Sequence, residues 1–210
     1  VVECRDSAVT MTVGRRSAIF TDTKDSDVAA EIVASHGLTA EVAPTDVVHG
    51  ELVQLRATDW DFLVSRMDAN GRFVVARNGT VTVVAPRLDA DPVLSLAFGS
   101  SILEFDGEID ARFQGAGAKC AAWDRASQAR TEAEGMDPGF ATPGNLSSAD
   151  LGAVLGRGLQ LDHAGGLAED ELQAWADACL VKRSLARVRG RVRCQGFAAL
   201  APGDVVEITG

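Results

Sequence analysis

The sequence predicts an α+β fold of small sheets with helices inserted between their strands. Three observations carry this expectation. Residues 51–77, ELVQLRATDWDFLVSRMDANGRFVVAR, read as strand, helix and strand with little slack. Two further segments, 101–113 and 184–196, alternate apolar or small with charged residues at the period of two that marks a strand. Twenty-one glycines against six prolines, many in short loops, suit a β-rich or mixed fold with several tight turns.

A chain of 210 residues can hold one large domain or two small ones, each with a real core. Hydrophobic residues make up 46%, which sets disorder aside. The lack of tyrosine argues against an antibody-like or carbohydrate-stacking surface. A net charge of −10 argues against nucleic acid as a partner, because the phosphate backbone repels it. No apolar run reaches the length of a membrane span. The opening VVECRDSAV lacks the basic and apolar regions of a secretory signal and lacks an initiator methionine, so a fragment or processed chain is expected.

Taken in order, residues 9–13 alternate as a strand, Gly14 turns the chain, and a short strand comes next around residues 18–20. Ser26 or Thr23 stands ready to cap a helix over 25–36, whose apolar stripe is Val28, Ile32 and Val33 and whose stop is Gly37. Residues 38–42 form a short strand and 44–50 a loop. In the 51–77 unit Thr58 stands at the N-cap, and Asp59 and Asp61 suit the positive end of the helix dipole. Trp60, Leu63, Val64 and Met67 fall on one helical face, and Asn70-Gly71 ends the helix. A hairpin turn at Asn78-Gly79 then joins the strand at residues 73–75 to one through Val81, Val83 and Val84.

After a loop over 86–92 comes a strand over 93–98, broken at Gly99-Ser100. Segment 101–113 reads as one long half-buried strand with a bulge at Gly107. Leu103, Phe105, Ile109, Ala111 and Phe113 lie on one face, and Glu104, Asp106, Glu108, Asp110 and Arg112 on the other. Gly115 and Gly117 loosen the chain ahead of a strand over 120–126. The polar stretch 128–148 reads as a loop, and 150–155 as a short helix capped by Ser147 or Ser148. Residues 156–166, with four glycines, are expected to be the loosest part of the chain. A helix over 167–183 carries the stripe Leu172, Trp175, Ala176, Cys179 and Leu180, with acids early and bases late. The last strand-like segment puts Arg187, Arg189, Arg191 and Arg193 on one face, and a turn at residues 202–204 leads to a final strand over 205–208. No internal repeat is detected.

Residue chemistry alone suggests no enzyme, and no catalytic, cofactor-binding or metal-binding residue is assigned. Thirty carboxylates make an acid pair easy to imagine and therefore uninformative. His49 stands beside a strand, yet no nucleophile or orienting partner can be identified for it. Cys4, Cys120, Cys179 and Cys194 form no C-x-x-C pair and have no metal spacing to His36, His49 or His163, so four buried free thiols are expected. Trp60 and Trp175 belong to helical stripes and read as core. The four-arginine face admits phosphate binding, but in so acidic a chain a solvated strand face is the favoured reading. A third reading sets it against the acidic ridge Glu104, Asp106, Glu108 and Asp110, across a sheet or a subunit interface.

Several segments also carry a resemblance. Gln54, the run from Thr58 to Leu63 (TDWDFL), and Asn70-Gly71 form one part of it. Others are Phe20-Thr21-Asp22-Thr23, Asp25-Ser26-Asp27-Val28 and His36-Gly37-Leu38. The rest are Leu96-Phe98-Gly99, Leu103-Phe105, Gly196-Phe197, Leu200, Pro202-Gly203 and Val206-Glu207-Ile208. Their order and spacing resemble the hub region of the valine–glycine repeat (VgrG) spike proteins and the phage late-control protein D family. The resemblance implies small β-barrel-type sheets with inserted helices, as a strand–helix–strand–helix–hairpin subdomain over 1–98 and a barrel-like subdomain over 99–210 with a helical insertion at about 147–184. It implies a structural component of a contractile injection apparatus, of the type VI secretion or phage-baseplate kind, with no enzymatic turnover and no cofactor. Its implied partners are two further copies in a trimer, the tail-tube protein below, an OB-fold and spike region of the same chain, and delivered effectors. Such a protein assembles in the bacterial cytoplasm and then joins a tail-like particle or secreted spike. The family's first barrel and its spike lie outside these 210 residues. The competing expectation is an independent ligand- or protein-binding domain, or a hydrolase, unrelated to tails.

Overall fold

The computed structural model describes residues 2–114, 117–140 and 145–210. The chain divides into two compact units, Val1–Pro86 and Arg87–Gly210. The division falls earlier than the expected boundary at 98, because the strand after the linker is hydrogen-bonded to the last strand of the chain and so belongs to the second unit.

The first unit begins with a 3-10 helix at Ser7–Thr12, where alternation predicts a strand. Local side-chain bonds explain the difference. The Asp6 carboxylate accepts from the Ala8 N–H at 2.9 Å, and the Thr10 and Thr12 hydroxyls donate back to the Ser7 and Val9 carbonyls at 3.0 and 2.7 Å. Next come β1 (Arg16–Lys24), α1 (Asp25–Ser35), β2 (Thr39–Val42), β3 (Val48–Ala57), α2 (Asp59–Ala69), β4 (Phe73–Arg77) and β5 (Thr80–Val84). β1 pairs antiparallel with β3, while β5 lies between parallel β2 and antiparallel β4. The expected loop 44–50 is shorter, since Val48 and His49 pair with Lys24 and Thr23 on β1. The core unites Met11, Ile32, Val33, Leu63, Met67, Val81 and Val83, all at most 1% exposed.

The predicted α2 holds in detail: the Thr58 hydroxyl accepts from the Asp61 N–H at 3.0 Å. Leu63 and Met67 are buried and Trp60 packs on the same core, whereas Val64, at the rim of the stripe, stays 37% exposed. Neither Ser26 nor Thr23 caps α1. Lys24 occupies the N-cap without a side-chain bond, and the Ser26 N–H is satisfied from a distance by the Thr45 hydroxyl at 3.1 Å.

An internal repeat, invisible in the letters, organises this unit. Adding 34 to a residue number in the first half gives its counterpart in the second. Asp25 gives Asp59, each the first residue of an 11-residue helix. Asp22 gives Arg56, two non-glycine residues held at φ of 49° and 47°. His36-Gly37 gives Asn70-Gly71, the helix ends with left-handed glycines. Ile19 gives Val53, and these two pair directly across β1 and β3, the register that a local two-fold axis requires. In the helix-to-strand stretches only Asp25/Asp59, Asp27/Asp61 and Gly37/Gly71 are identical, which is too little for sequence self-comparison to find.

The second unit holds β6 (Leu94–Ala97), β7 (Ile102–Ile109), a 3-10 turn (Ala111–Phe113), β8 (Ala118–Asp124), β9 (Ala129–Glu134), α3 (Ser148–Leu155), β10 (Leu159–His163), α4 (Glu169–Leu185), β11 (Val188–Cys194) and β12 (Val206–Thr209). Its sheets are β10-β8-β9, β11-β7 and β12-β6. The sheets are small throughout the molecule, as expected, and none closes on itself among the described residues. α4 packs Leu172 and Ala176 on Cys120, Ala122 and Ala133, with Trp175 at the edge of this core. Ser147 caps α3 in a reciprocal capping box with Asp150, as anticipated.

Two segments read as loops carry strands. β9 lies within 128–148, and β10 lies within the glycine-rich 156–166, paired in parallel with β8. Neither has a strong pattern of its own, and the ladder to the small, largely buried β8 makes them strands. The expected positions at Gly115 and at 141–144, and the side chain of Phe113, lie outside the described residues. The long strand expected over 101–113 stops at Ile109, where the Asp110 carboxylate accepts from the Arg112 N–H at 2.9 Å and turns the chain. All four cysteines are free thiols, but only Cys120 is buried. Burial pushes its pKa up to about 11, so it is chemically quiet. Cys4 is exposed, ahead of the first element, and Cys179 and Cys194 are half-buried.

Candidate functional site

Two features collect the polar side chains of this molecule: a pair of buried aspartate networks in the first unit, and a charged ribbon in the second. Each network forms at the start of a helix. Asp25 is 2% exposed and accepts from Arg66 Nε at 2.6 Å, Arg66 Nη2 at 2.9 Å and Asn70 Nδ2 at 2.9 Å, with His49 Nε2 also 2.9 Å away. Asp59 is 7% exposed and takes Arg16 Nε at 2.6 Å, Gln54 Nε2 at 2.9 Å and His36 Nε2 at 2.8 Å. The arrangement is reciprocal: the aspartate opening each helix binds the residue that caps the other, Asp25 to Asn70 and Asp59 to His36.

Burial pushes the Asp25 carboxyl up, but the bonds and charge of Arg66, with Asn70 and His49, outweigh it and hold the group below 3.8. Asp59 behaves likewise: burial raises it, and His36, Gln54 and Arg16 bring it below 3.8. Gln54 is fully buried, its Oε1 having no hydrogen-bond partner among the described residues, while its amide joins Asp59 and the Ala57 carbonyl. These networks fasten elements together. His49 lies between Asp25 and Arg66 and is only 5% exposed, held inside the network. The Gln54 and Thr58–Leu63 motif singled out in the sequence is therefore the scaffold of the helix pair.

The second unit contains a cavity of about 250 Å³ lined by Ser147, Ser148, Arg187, Asp137 and Phe140 among others. The start of α3 faces this region, where the capping box already engages two N–H groups: that of Ser147 donates to the Asp150 carboxylate and that of Asp150 to the Ser147 hydroxyl.

The ribbon brings together charged residues that stand 81 to 89 positions apart in the sequence. β7 and β11 pair antiparallel with Glu104 opposite Arg193, Asp106 opposite Arg191 and Glu108 opposite Arg189. Arg193 Nε lies 3.2 Å from Glu104 Oε2. The reading that sets the acidic and arginine ridges against each other across a sheet is correct for these three pairs. Arg187 departs from the row: it precedes β11, is 6% exposed and donates to the Ser148 hydroxyl at 3.2 Å. Asp110 and Arg112 also leave it, bonding each other at the turn. Both faces of β7 are largely exposed, so the strand is not half-buried, and the apolar positions Leu103, Phe105 and Ile109 are 68%, 52% and 53% exposed.

Gly107 makes no bulge. It pairs in register with Gly190, and the irregularity lies instead between Arg193 and Cys194. The two strands approach closely there: a Cβ on Gly190 would stand 2.5 Å from the Asp106 carbonyl oxygen and 3.2 Å from Gly107 Cα. Gly190→Ala is expected to force the strands apart and cost about 1–3 kcal/mol, the usual cost of overpacking. Chemical denaturation read at the second unit checks it, and an unchanged midpoint would mean that the ribbon yields freely.

The fold is similar to that of solved tail proteins. It is similar to the 43 kDa tail protein of prophage MuSo2 from Shewanella oneidensis, with TM-score 0.67 and 10% identity, over 98% of this chain and 62% of that one. It is likewise similar to the tail protein from Neisseria meningitidis MC58, with TM-score 0.63 and 15% identity, over 93% of this chain and 59% of that one. The chain thus spans about three fifths of the length of those tail proteins. By sequence, the chain belongs to the Alg8 N-terminal domain family, whose model matches residues 1–210. No curated protein matches it. Among the described residues, no helix is long and apolar enough to cross a membrane.

Proposed function

We propose that this chain is the hub region of a contractile injection apparatus, a structural part that assembles as a trimer at the tube tip and carries a puncturing spike. The observation that carries the reading is the tail-protein fold, shared over 98% and 93% of the chain with two solved tail proteins. The resemblance of the segments around Gln54, Thr58–Leu63 and Asn70-Gly71 to the VgrG and late-control protein D hub supports it from the sequence side. The partners are then two further copies, the tail-tube protein, that spike region and delivered effectors. The role is architectural, with no catalytic residue, and the protein is built in the bacterial cytoplasm before joining the particle. An independent ligand-binding domain or hydrolase is not favoured, since His49 is sealed by Asp25 and Arg66.

The test is the mass of the full-length protein by light scattering coupled to size exclusion, together with its presence in purified tail-like particles. A trimer that co-sediments with the particles is expected. A monomer at every concentration, absent from the particles, overturns the reading.

A further inference from the structure

We propose that the β7/β11 ribbon is a docking edge for further copies of this chain, joined head to tail with the acidic edge of one meeting the basic edge of the next. The proposal rests on the assembly reading above and names the surface and the symmetry that serve it. Each ribbon strand has one partner, the other, so among the described residues both outer edges are unpaired. Neither Ile102–Ile109 nor Val188–Cys194 contains a proline, so every residue of both strands retains the backbone N–H a further strand needs.

The charges select the manner of pairing. Every charged residue of β7 is an acid, Glu104, Asp106 and Glu108, and every charged residue of β11 is an arginine, Arg189, Arg191 and Arg193. The ribbon therefore has an acidic edge and a basic edge. A two-fold contact would set acid against acid or arginine against arginine, which is destabilising at each opposed pair. A head-to-tail contact instead repeats across the boundary the alternation already present inside the chain. Contacts of that kind close into rings when the rotation allows it. In a chain of net charge −10 approach between copies is opposed, but here three acids and three arginines cancel. On the opposite face, the exposed Leu103, Phe105 and Ile109 of one copy would lie beside Val188 and Val192 of the next.

The experiment mixes the full-length protein with a charge-exchanged variant, E104R/D106R/E108R/R189E/R191E/R193E. The exchange preserves net charge and the ladder within each chain while reversing its two edges. Each form is expected to assemble with itself. Mixed species, counted by native mass spectrometry after co-expression with different tags, should fall about tenfold below their statistical share at low salt and recover as salt rises. Statistical mixing within intact trimers overturns the ribbon proposal and leaves the hub reading standing. A monomeric wild-type protein overturns both. A measurement independent of the variant's folding places a photo-crosslinking residue in otherwise wild-type protein, Leu103→p-benzoylphenylalanine. Crosslinks to residues 188–194 of a second copy support the proposal. Crosslinks to another protein, such as a strand of the tail tube, overturn it.

Discussion

Asp25→Ala is expected to destabilise the first unit by about 3–5 kcal/mol, the range found when one member of a buried charge network is removed. Asp25 is almost wholly buried, and three side chains from two other elements converge on it: Arg66 and Asn70 at the end of α2, and His49 on β3. Removing the carboxylate takes away the counter-charge for a half-buried guanidinium while leaving the guanidinium in place. Against a total stability of about 5–15 kcal/mol, that loss is large. Urea unfolding followed by Trp60 fluorescence measures it. A shift below about 1 kcal/mol would show that the network is incidental to the helix pair.

The same aspartates set a pH dependence of definite sign. Both have folded pKa values below the unfolded value of 3.8. Their contribution is therefore fully present above that value and is lost as pH falls through the lower folded values. Acid titration of wild type and Asp25→Asn should show the wild type losing its advantage below about pH 4. Parallel curves throughout would assign the acid sensitivity to other groups.

Leu172→Ala is expected to cost the second unit about 2–5 kcal/mol. Leu172 is fully buried where α4 meets β8 and β9. Its buried neighbours are the short side chains of Cys120, Ala122, Ala133 and Ala176, with the longer Leu161, Leu167 and Trp175 packed against the same cluster. The cavity left behind adds to the lost burial, offset only as far as Leu161, Leu167 and Trp175 can shift toward it. Thermal and chemical unfolding of the second unit check the value. Leu172→Met, nearly equal in volume, should recover most of it, and failure to do so would mean that shape rather than volume governs this site.

Signals acting within a few residues were sufficient for α2 and the β4–β5 turn, though not for the 3-10 helix at Ser7–Thr12 or the start of α1. The Thr58 cap, the Leu63–Met67 stripe, the Gly71 stop and the Asn78-Gly79 turn depend on neighbours one to four positions away, and all stand as read. The alternation in 102–109 and 188–194 likewise identified both strands and even suggested their charged rows as partners. What tertiary structure alone decided concerns groups far apart in the chain. β9 and β10 are strands because β8 offers them a ladder, against their own polar and glycine-rich composition. Asp59 looked like a helix-dipole acid and Asp25 simply like the start of a helix, and only the antiparallel pairing of β1 with β3 brings each to the cap of the opposite helix. The 34-residue repeat is preserved in backbone geometry and hardly at all in letters, because what the two-fold arrangement demands is a carboxylate, a capping donor and a left-handed glycine. Periodicity and turn chemistry are local and so are written in the sequence. The choice of distant partner depends on how the whole chain is routed, and the physical chemistry of a pair is expressed only once its members meet.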